Sequence, residues 1–338
     1  MPQRTGKNTI LLPTKPSITG YAAAVGKKEA EGPLSKYFDI AYSDEFCGEK
    51  TFEKAETHMQ KAAIEKAIKK SGLQKSQIDL AFAGDLLNQC IGSSFGMRDL
   101  KFNFAGLYGA CSTMALSLAL SGIMADCGAA SHLVAAASSH FCSAERQYRM
   151  PLEYGGQRSP ASQWTVTGAG CAVVSAHKEG TPYVDKVIFG AVRDLGITDP
   201  NNMGAAMAPA AAQTIAGFLS DTETKPTDYG MILTGDLGVT GSKLLQQLMI
   251  TEHDIDISPV HNDCGNMIYD IEAQDVHSGG SGCGCSAITL CGYLLDHLAK
   301  GKLKRILFCG TGALLSPTSN QQSLPISGVC HAVSIEGG

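Results

Sequence analysis

The chain has 338 residues, of which 44% are hydrophobic and 17% charged, enough for one large core or for two fused halves. Its net charge is −5 at pH 7, and it contains no long run of one sign. A protein that binds the nucleic-acid backbone normally shows a basic stripe, so composition and charge argue against a nucleic-acid partner.

The apolar stretches of the chain predict neither an export signal nor a membrane span. Residues 10–12 are too short for the apolar core of a signal peptide. The uncharged segments 102–125 and 200–220 are long, but both contain polar and turn-forming residues. We therefore expect both segments to be buried and the chain to be synthesised in the cytoplasm.

The twelve cysteines lack the paired C-x-x-C spacing that is typical of structural zinc sites. We expect no metal site and mostly reduced, buried thiols. The closest pair is Cys283-Gly284-Cys285, whose adjacent glycines indicate a turn.

The first half of the chain alternates predicted helices and strands. Periodic apolar residues predict a helix over residues 51–70, ended by Gly72, and then a buried strand over residues 78–83. Ala110-Cys111-Ser112-Thr113 precedes an apolar helix that ends near residue 125, with a Ser or Thr hydroxyl well placed to cap it. A strand over residues 133–137 follows. This order indicates parallel α/β layers.

The second half repeats this order, with a strand over residues 229–234, a helix over 286–298 and a strand over 305–311. The same separation of 172 residues relates Cys111 to Cys283 and Leu133 to Arg305. Gly235-Asp236-Leu237 also matches Gly84-Asp85-Leu86. The pattern therefore predicts an internal duplication, with one half over residues 1–178 and the other over 179–338.

Cys111 is the strongest candidate for chemistry because it precedes a helix. The unpaired N–H groups and the dipole there should lower its pKa, which favours a nucleophile, or the N–H groups could hold a bound carboxylate. The alternative is a small buried side chain without a chemical role. A catalytic thiol also needs a base, for which His140, His261 and His277 are candidates.

Two arginines could recognise an anionic ligand. Arg146 and Arg149 are three residues apart and would share a face if their segment is helical. Two guanidinium groups beside a helix N-terminus would suit a dicarboxylate. The alternative is a solvated surface turn.

Several ordered motifs resemble a known family from about Ser17 to about Val333. Among them are Gly84-Asp85-Leu86-Leu87-Asn88, Gly109-Ala110-Cys111-Ser112-Thr113, Ser138-Ser139-His140, Ala144-Glu145-Arg146-Gln147, Glu153-Tyr154-Gly155-Gly156-Gln157, His261-Asn262-Asp263-Cys264 and Gly280-Ser281-Gly282-Cys283. The duplication, with a cysteine that opens a buried helix, is similar to the thiolase and ketoacyl-synthase superfamily. Within it, the motifs most resemble the SpoVAD family of sporulation proteins.

This resemblance implies an α/β fold, a thiolase-like five-layered αβαβα sandwich of two duplicated halves, and a homodimer. It also implies a non-enzymatic protein without a cofactor. Such a protein binds dipicolinic acid (pyridine-2,6-dicarboxylate), with or without calcium, and assists its transport into the developing spore. The implied partners are membrane-embedded SpoVA proteins, which would place the chain peripherally on the spore inner membrane.

The resemblance also implies a ligand site at the helix mouth formed by Cys111. Helix N–H groups and guanidiniums would hold the carboxylates, and a histidine would meet the ring nitrogen. Asp85 would oppose a free dianion unless it is protonated or bridged by calcium. The expected site residues are Cys111, Ser112, His140, Arg146, Arg149, His261 and Ser281, with Asp85 and Asn88 near the floor.

The chain departs from the condensing enzymes of this superfamily at their catalytic positions. Ser281 stands where those enzymes have an asparagine, and Asp263-Cys264 replace the end of their histidine motif. We therefore expect a retained nucleophile without a complete catalytic set. The alternatives are an enzyme that forms an acyl-cysteine at Cys111 with His261 as base, and a structural adaptor for membrane partners.

Overall fold

The computed structural model of the chain describes residues 1–148 and 158–338. Its strands are β1 Gln3–Thr5, β2 Thr9–Leu11, β3 Ser17–Val25, β4 Ile40–Ala41, β5 Leu80–Gly84, β6 Phe104–Gly106, β7 His132–Ser139, β8 Trp164–Thr165, β9 Gly168–Ser175, β10 Tyr183–Phe189, β11 Met231–Thr234, β12 His261–Asp263, β13 Gly280–Ser281, β14 Arg305–Ala313 and β15 Gly328–Glu336. Its α-helices are α1 Lys27–Ala30, α2 Phe52–Ser71, α3 Ile91–Leu100, α4 Thr113–Asp126, α5 Phe141–Tyr148, α6 Met203–Thr222, α7 Gly238–His253, α8 Cys264–Met267, α9 Cys283–Ile288, α10 Leu295–Ala299 and α11 Pro317–Gln321.

The strands form two sets with the same order. The first runs β6-β5-β7-β9-β3 and the second β12-β11-β14-β15-β10, and a single residue pair, Ser17 with Tyr183, joins β3 to β10. In each set the first three strands are parallel to one another. Each of the last two strands is antiparallel to the strand before it in the order. The prediction of parallel layers is confirmed for the strands it named, since β5 pairs parallel with β7 and β11 with β14. Strands β9 and β15, which were not predicted, run antiparallel beside β7 and β14.

Helices complete five layers, which confirms the predicted thiolase-like sandwich. Helices α2 and α3 cover one side of the first strand set, and α6 and α7 cover the second. Between the two sets lie α4 and the α9–α10 segment, which is continuous through a π-helical turn, Thr289–Leu294. The central core joins residues of both halves, including Met114, Leu118, Ile288 and Phe308, all of them fully buried.

The predicted helix over residues 51–70 is confirmed as α2. The Thr51 hydroxyl accepts a hydrogen bond from the Lys54 N–H at 3.3 Å, and Gly72 ends the helix in the left-handed region at φ 79°.

Cys283-Gly284-Cys285 opens α9 rather than forming the expected turn. The predicted boundary between residues 178 and 179 falls in the connection from β9 to β10 and stays a prediction. No helix of the described residues is long and apolar enough to span a membrane.

Candidate functional site

Cys111 lies on a tight turn that leads into α4, between the two strand sets. Ala110 has a left-handed backbone, with φ 48°, and the Thr113 hydroxyl donates to its carbonyl at 2.7 Å. The Ser112 hydroxyl donates to the Gly109 carbonyl at 2.6 Å, so the expected N-terminal cap is wrong. Both hydroxyls therefore donate to carbonyl groups within the turn, and these hydrogen bonds hold Cys111 just before the helix.

The Cys111 thiol is enclosed by groups from the second half of the chain. Its side chain faces the Asp236 carboxylate, the Ser281 hydroxyl and the Gly282 N–H. Burial and the Asp236 carboxylate raise the pKa of Cys111 well above its usual value, and the two donors offset only part of this. The expected lowering of this pKa by the helix N-terminus is therefore wrong, because desolvation and a facing carboxylate outweigh the dipole.

Asp236 is the central acid of this site, and the sequence prediction did not include it. Its Oδ1 accepts from the Thr311 hydroxyl at 2.8 Å, and its Oδ2 accepts from the Ser281 hydroxyl at 3.1 Å and the Gly282 N–H at 3.0 Å. Burial raises its pKa. The signal was present in the repeat that matches Asp236 to Asp85, although only Asp85 had been given a role.

A cavity opens beside Cys111, with about 40 Å³ of space open to the centres of water molecules. The hydroxyls of Tyr108 and Tyr148 lie 2.9 Å apart on its wall, and the Tyr148 hydroxyl also donates to the Leu86 carbonyl. Among its described lining residues there is no lysine, arginine or histidine. These residues are Leu86, Tyr108, Ala110, Cys111, Ala144, Glu145, Tyr148, Thr165, Met203, Ser281, Ala313 and Leu315.

Of the predicted site residues, Cys111 and Ser281 meet in this cavity and His140 does not line it. The His140 Nε2 lies 2.8 Å from the Glu45 carbonyl, and its Nδ1 accepts from the Cys142 N–H at 3.2 Å. Burial lowers the pKa of His140, which favours the neutral ring. Both nitrogens are occupied by backbone groups, so His140 is a structural side chain here.

His261 and His277 also lie outside the lining of the Cys111 cavity. The His261 Nε2 is 3.0 Å from the Thr234 hydroxyl, and its Nδ1 is 3.2 Å from the Gln246 amide nitrogen. Burial lowers the pKa of His261 to about 4. His277 contacts the Ser159 carbonyl at 2.9 Å. The structure therefore brings none of the three histidines to the thiol as a base.

Arg146 and Asn88 lie in a separate, more open depression of about 340 Å³. The Arg146 guanidinium forms an ion pair with Glu53 of α2 and does not face Cys111. Its neighbour on α5, Glu145, lines the Cys111 cavity instead. Ala144, Glu145 and Tyr148 of α5 line the Cys111 cavity, whereas Arg146 lies on the side of the helix that faces Glu53. Arg149 lies outside the described residues.

Asp85 is fully buried in a polar cluster and does not form the cavity floor. Its Oδ2 accepts from the Ser93 N–H and hydroxyl, each at 2.7 Å. The neighbouring Glu56 accepts from the hydroxyls of Ser138 at 3.1 Å and Ser143 at 3.0 Å. Burial, with Asp85 nearby, raises the pKa of Glu56 to about 8. The pair ties the segment after β5 to α5, and both elements line the cavity.

Comparison with known proteins identifies the family. The sequence profile of stage V sporulation protein AD, SpoVAD, matches residues 6–336. The chain is 42% identical to stage V sporulation protein AD of Bacillus subtilis (strain 168), over 98% of this chain and 97% of the relative. The chain belongs to the SpoVAD family. As a family member it is a sporulation protein, and the resemblance predicted from its motifs is confirmed.

Solved structures show how this SpoVAD-family fold relates to other proteins. The 3-oxoacyl-[acyl-carrier-protein] synthase III of Aquifex aeolicus VF5 matches with a TM-score of 0.58 and 14% identity, over 95% of this chain and 99% of that one. A single-residue variant of Xanthomonas campestris OleA matches with a TM-score of 0.62 and 12% identity, over 96% of this chain and 99% of that one. At such identity the likeness shows the fold alone.

Proposed function

We propose that this SpoVAD-family protein binds dipicolinic acid in the Cys111 cavity and assists its transport into the developing spore without catalysing a reaction. The observation that supports this most directly is the apolar cavity, flanked by Tyr108 and Tyr148, that opens at a protonated thiol. Its walls suit a flat heteroaromatic ring, and the Ser281 and Cys111 side chains offer polar contacts at one end. Family membership supports the role in sporulation.

The arrangement around the thiol favours binding over acyl transfer. A cysteine nucleophile needs a base or a positive environment to form the thiolate. Here Cys111 instead meets the Asp236 carboxylate, which raises its pKa together with burial. His261, the proposed base of the alternative enzyme, is held by Thr234 and Gln246. The described residues therefore supply a thiol without the means to activate it.

The charge of the ligand bears on the form that binds. The described lining of the cavity is largely apolar, so a free dicarboxylate would lose most of its hydration there. Calcium prefers oxygen ligands and would neutralise both carboxylates. We propose that the calcium complex is the form that this cavity takes up more readily.

Isothermal titration with dipicolinate, with and without calcium, tests the proposed function. We expect saturable binding that is tighter with calcium and is weakened about tenfold by Ser281→Ala or Cys111→Ala, through lost polar contacts and packing. Cys127→Ala is the matched control, because Cys127 is exposed and does not line the cavity. Absence of binding in both conditions would contradict the proposal.

The alternative, an acyl-cysteine enzyme, predicts a covalent product that mass spectrometry can detect. Incubation with acyl-CoA thioesters of several chain lengths would then add an acyl group to Cys111, with free CoA released. We expect no adduct, because the thiol remains protonated. An adduct that is absent from Cys111→Ala would favour the enzyme and count against a purely ligand-binding role.

We also propose that the protein is a homodimer and is held on the spore inner membrane by membrane-embedded SpoVA proteins. The outer edge of β6 has no strand partner among the described residues, and Ile91 and Phe95 of the adjacent α3 are 41% and 45% exposed. Sedimentation should show a dimer that Phe95→Lys dissociates. The membrane position rests on family membership, and fractionation of sporulating cells with and without the other SpoVA proteins tests it.

A further inference from the structure

A second cavity lies on the other side of β8 from Cys111. It has a volume of about 350 Å³ and is called the Trp164 cavity below. Trp164 lines it while the next residue, Thr165, lines the Cys111 cavity, as the alternation of side chains along a strand requires. The two cavities share no described lining residue. The residues of the Trp164 cavity used here are Gly26, Glu29, Phe46, Phe52, Phe141 and Trp164.

Glu29 is a buried carboxylate that lines this cavity, with only 1% of its surface exposed. Its Oε1 accepts from the Thr167 N–H at 3.0 Å and from the Tyr269 hydroxyl. Its Oε2 has no hydrogen-bond donor among the described residues. Buried carboxylate oxygens are normally hydrogen-bonded, so this oxygen indicates a site for a donor.

The backbone leaves room beside that oxygen. A Cβ atom placed on Gly26 would lie 2.9 Å from the Glu29 Oε2. Any side chain at position 26 would therefore crowd this oxygen and also the Thr167 side chain, whose Cγ2 would lie 2.9 Å from the same Cβ. Glycine at this position keeps the approach to the carboxylate open.

Aromatic rings line the Trp164 cavity as two stacked pairs. Phe46 and Phe52 have ring centroids 4.8 Å apart, and Phe141 and Trp164 have centroids 4.0 Å apart. Aromatic faces attract cations, and the Lys28 ammonium already lies 4.4 Å from the Trp164 ring centroid. That ammonium donates to the Gln274 carbonyl and leaves the Glu29 Oε2 without a partner.

We propose that the Trp164 cavity binds the ammonium group of a small organic amine. An N–H of the ligand donates to the Glu29 Oε2, and its carbon chain packs against Phe46 and Phe52. Burial raises the pKa of Glu29 to about 6, so the carboxylate still carries its charge at neutral pH. Glu45 is the second carboxylate of the lining, and Lys27 and Lys28 are its two cations. This site is independent of the dipicolinate proposal.

Trp164 is the one tryptophan of the chain, so its fluorescence reports directly on this cavity. The intact protein is titrated at neutral pH with n-butylammonium chloride, and separately with tetramethylammonium chloride and n-butanol. We expect a saturable change with butylammonium. Tetramethylammonium, which has no N–H to donate, and butanol, which has no charge, should bind at least about tenfold more weakly.

Substitutions separate the carboxylate from the aromatic wall. Glu29→Gln should weaken butylammonium binding about tenfold or more, since it removes the charge-assisted hydrogen bond. Glu65→Gln, which changes an exposed carboxylate that pairs with Lys75, is the matched control and should have no effect. Phe46→Leu should weaken butylammonium binding severalfold. If Glu29→Gln does not fold, unchanged binding by Phe46→Leu would overturn the proposal instead. No saturable change in the wild type, or equal binding by Glu29→Gln, would overturn the proposal.

Discussion

The thiol of Cys111, in the first half of the chain, faces the carboxylate of Asp236, in the second half. Asp236 follows β11, while Cys111 precedes α4 in the central layer. Cys283, which matches Cys111 in the repeat, is near Asp85, which matches Asp236. The duplication thus places each helix-opening cysteine near the acid of the other half.

The contact with Asp236 should keep Cys111 unreactive at neutral pH. We expect iodoacetamide to modify it at least about tenfold more slowly than the exposed Cys127. Asp236→Asn removes the carboxylate that helps to raise the Cys111 pKa, so the thiolate fraction and the rate should increase. Peptide mass spectrometry over pH 7 to 9 measures both rates. An unchanged Cys111 rate in Asp236→Asn would contradict this assignment.

Tyr148→Phe should weaken one wall of the Cys111 cavity. The substitution removes hydrogen bonds to the Leu86 carbonyl and the Tyr108 hydroxyl, at a cost of about 1 kcal/mol in the free energy of unfolding. We expect dipicolinate affinity to fall about fivefold as the wall loosens. Tyr183→Phe is a matched control, since its hydroxyl contacts Glu336 away from the cavity. Equal affinities for the two variants would count against a role for the tyrosine pair.

Glu56 should make the stability of the protein depend on pH. Its pKa is raised from 4.5 to about 8, so between these values the folded state binds a proton that the unfolded state releases. This stabilisation is complete below about pH 4.5 and is lost as the pH rises to about 8, on the order of a few kcal/mol. Glu56→Gln, which mimics the protonated acid, should therefore gain stability relative to wild type as the pH rises.

Urea unfolding at pH 5, 6.5 and 8 measures that difference in the free energy of unfolding between wild type and Glu56→Gln. Glu65→Gln serves as the control, because the exposed Glu65 pairs with Lys75 on the surface. A difference between wild type and Glu56→Gln that stays constant with pH would show that folding does not raise the pKa of Glu56.

Gly312 allows β14 to approach the Cys111 turn. A Cβ at this position would lie 2.4 Å from the Gly109 carbonyl oxygen and 3.1 Å from the Ser112 nitrogen. Gly312→Ala should therefore lower the free energy of unfolding by about 1 to 3 kcal/mol and disturb the cavity. Gly217→Ala in α6, whose nearest contact would be at 3.9 Å, should instead raise it by up to about 1 kcal/mol. Thermal unfolding compares the two variants. A Gly312→Ala variant as stable as wild type would show that the Cys111 turn can shift to accommodate the added Cβ.

Much of the architecture could be predicted from the sequence, because its signals are local. Apolar periodicity located α2, and short apolar runs located β5, β7, β11 and β14 to within two residues at most of their ends. The common 172-residue spacing predicted that both helix-opening cysteines lie in equivalent places, and both open helices of the central layer. The resemblance to the condensing enzymes predicted Ser281 near Cys111, and both side chains line the same cavity.

The tertiary structure decided which side chains share the cavity. The sequence favoured Arg146 over Glu145, yet the rotation of α5 against α2 and β8 turns Glu145 inward and leaves Arg146 with Glu53. It likewise favoured histidines over Asp236 as the partner of Cys111. Helix rotation and the packing of one half on the other depend on contacts between residues far apart in the chain. The spacing of residues along the chain does not show which distant residues come into contact. The direction of the Cys111 pKa shift therefore followed only from the packed structure.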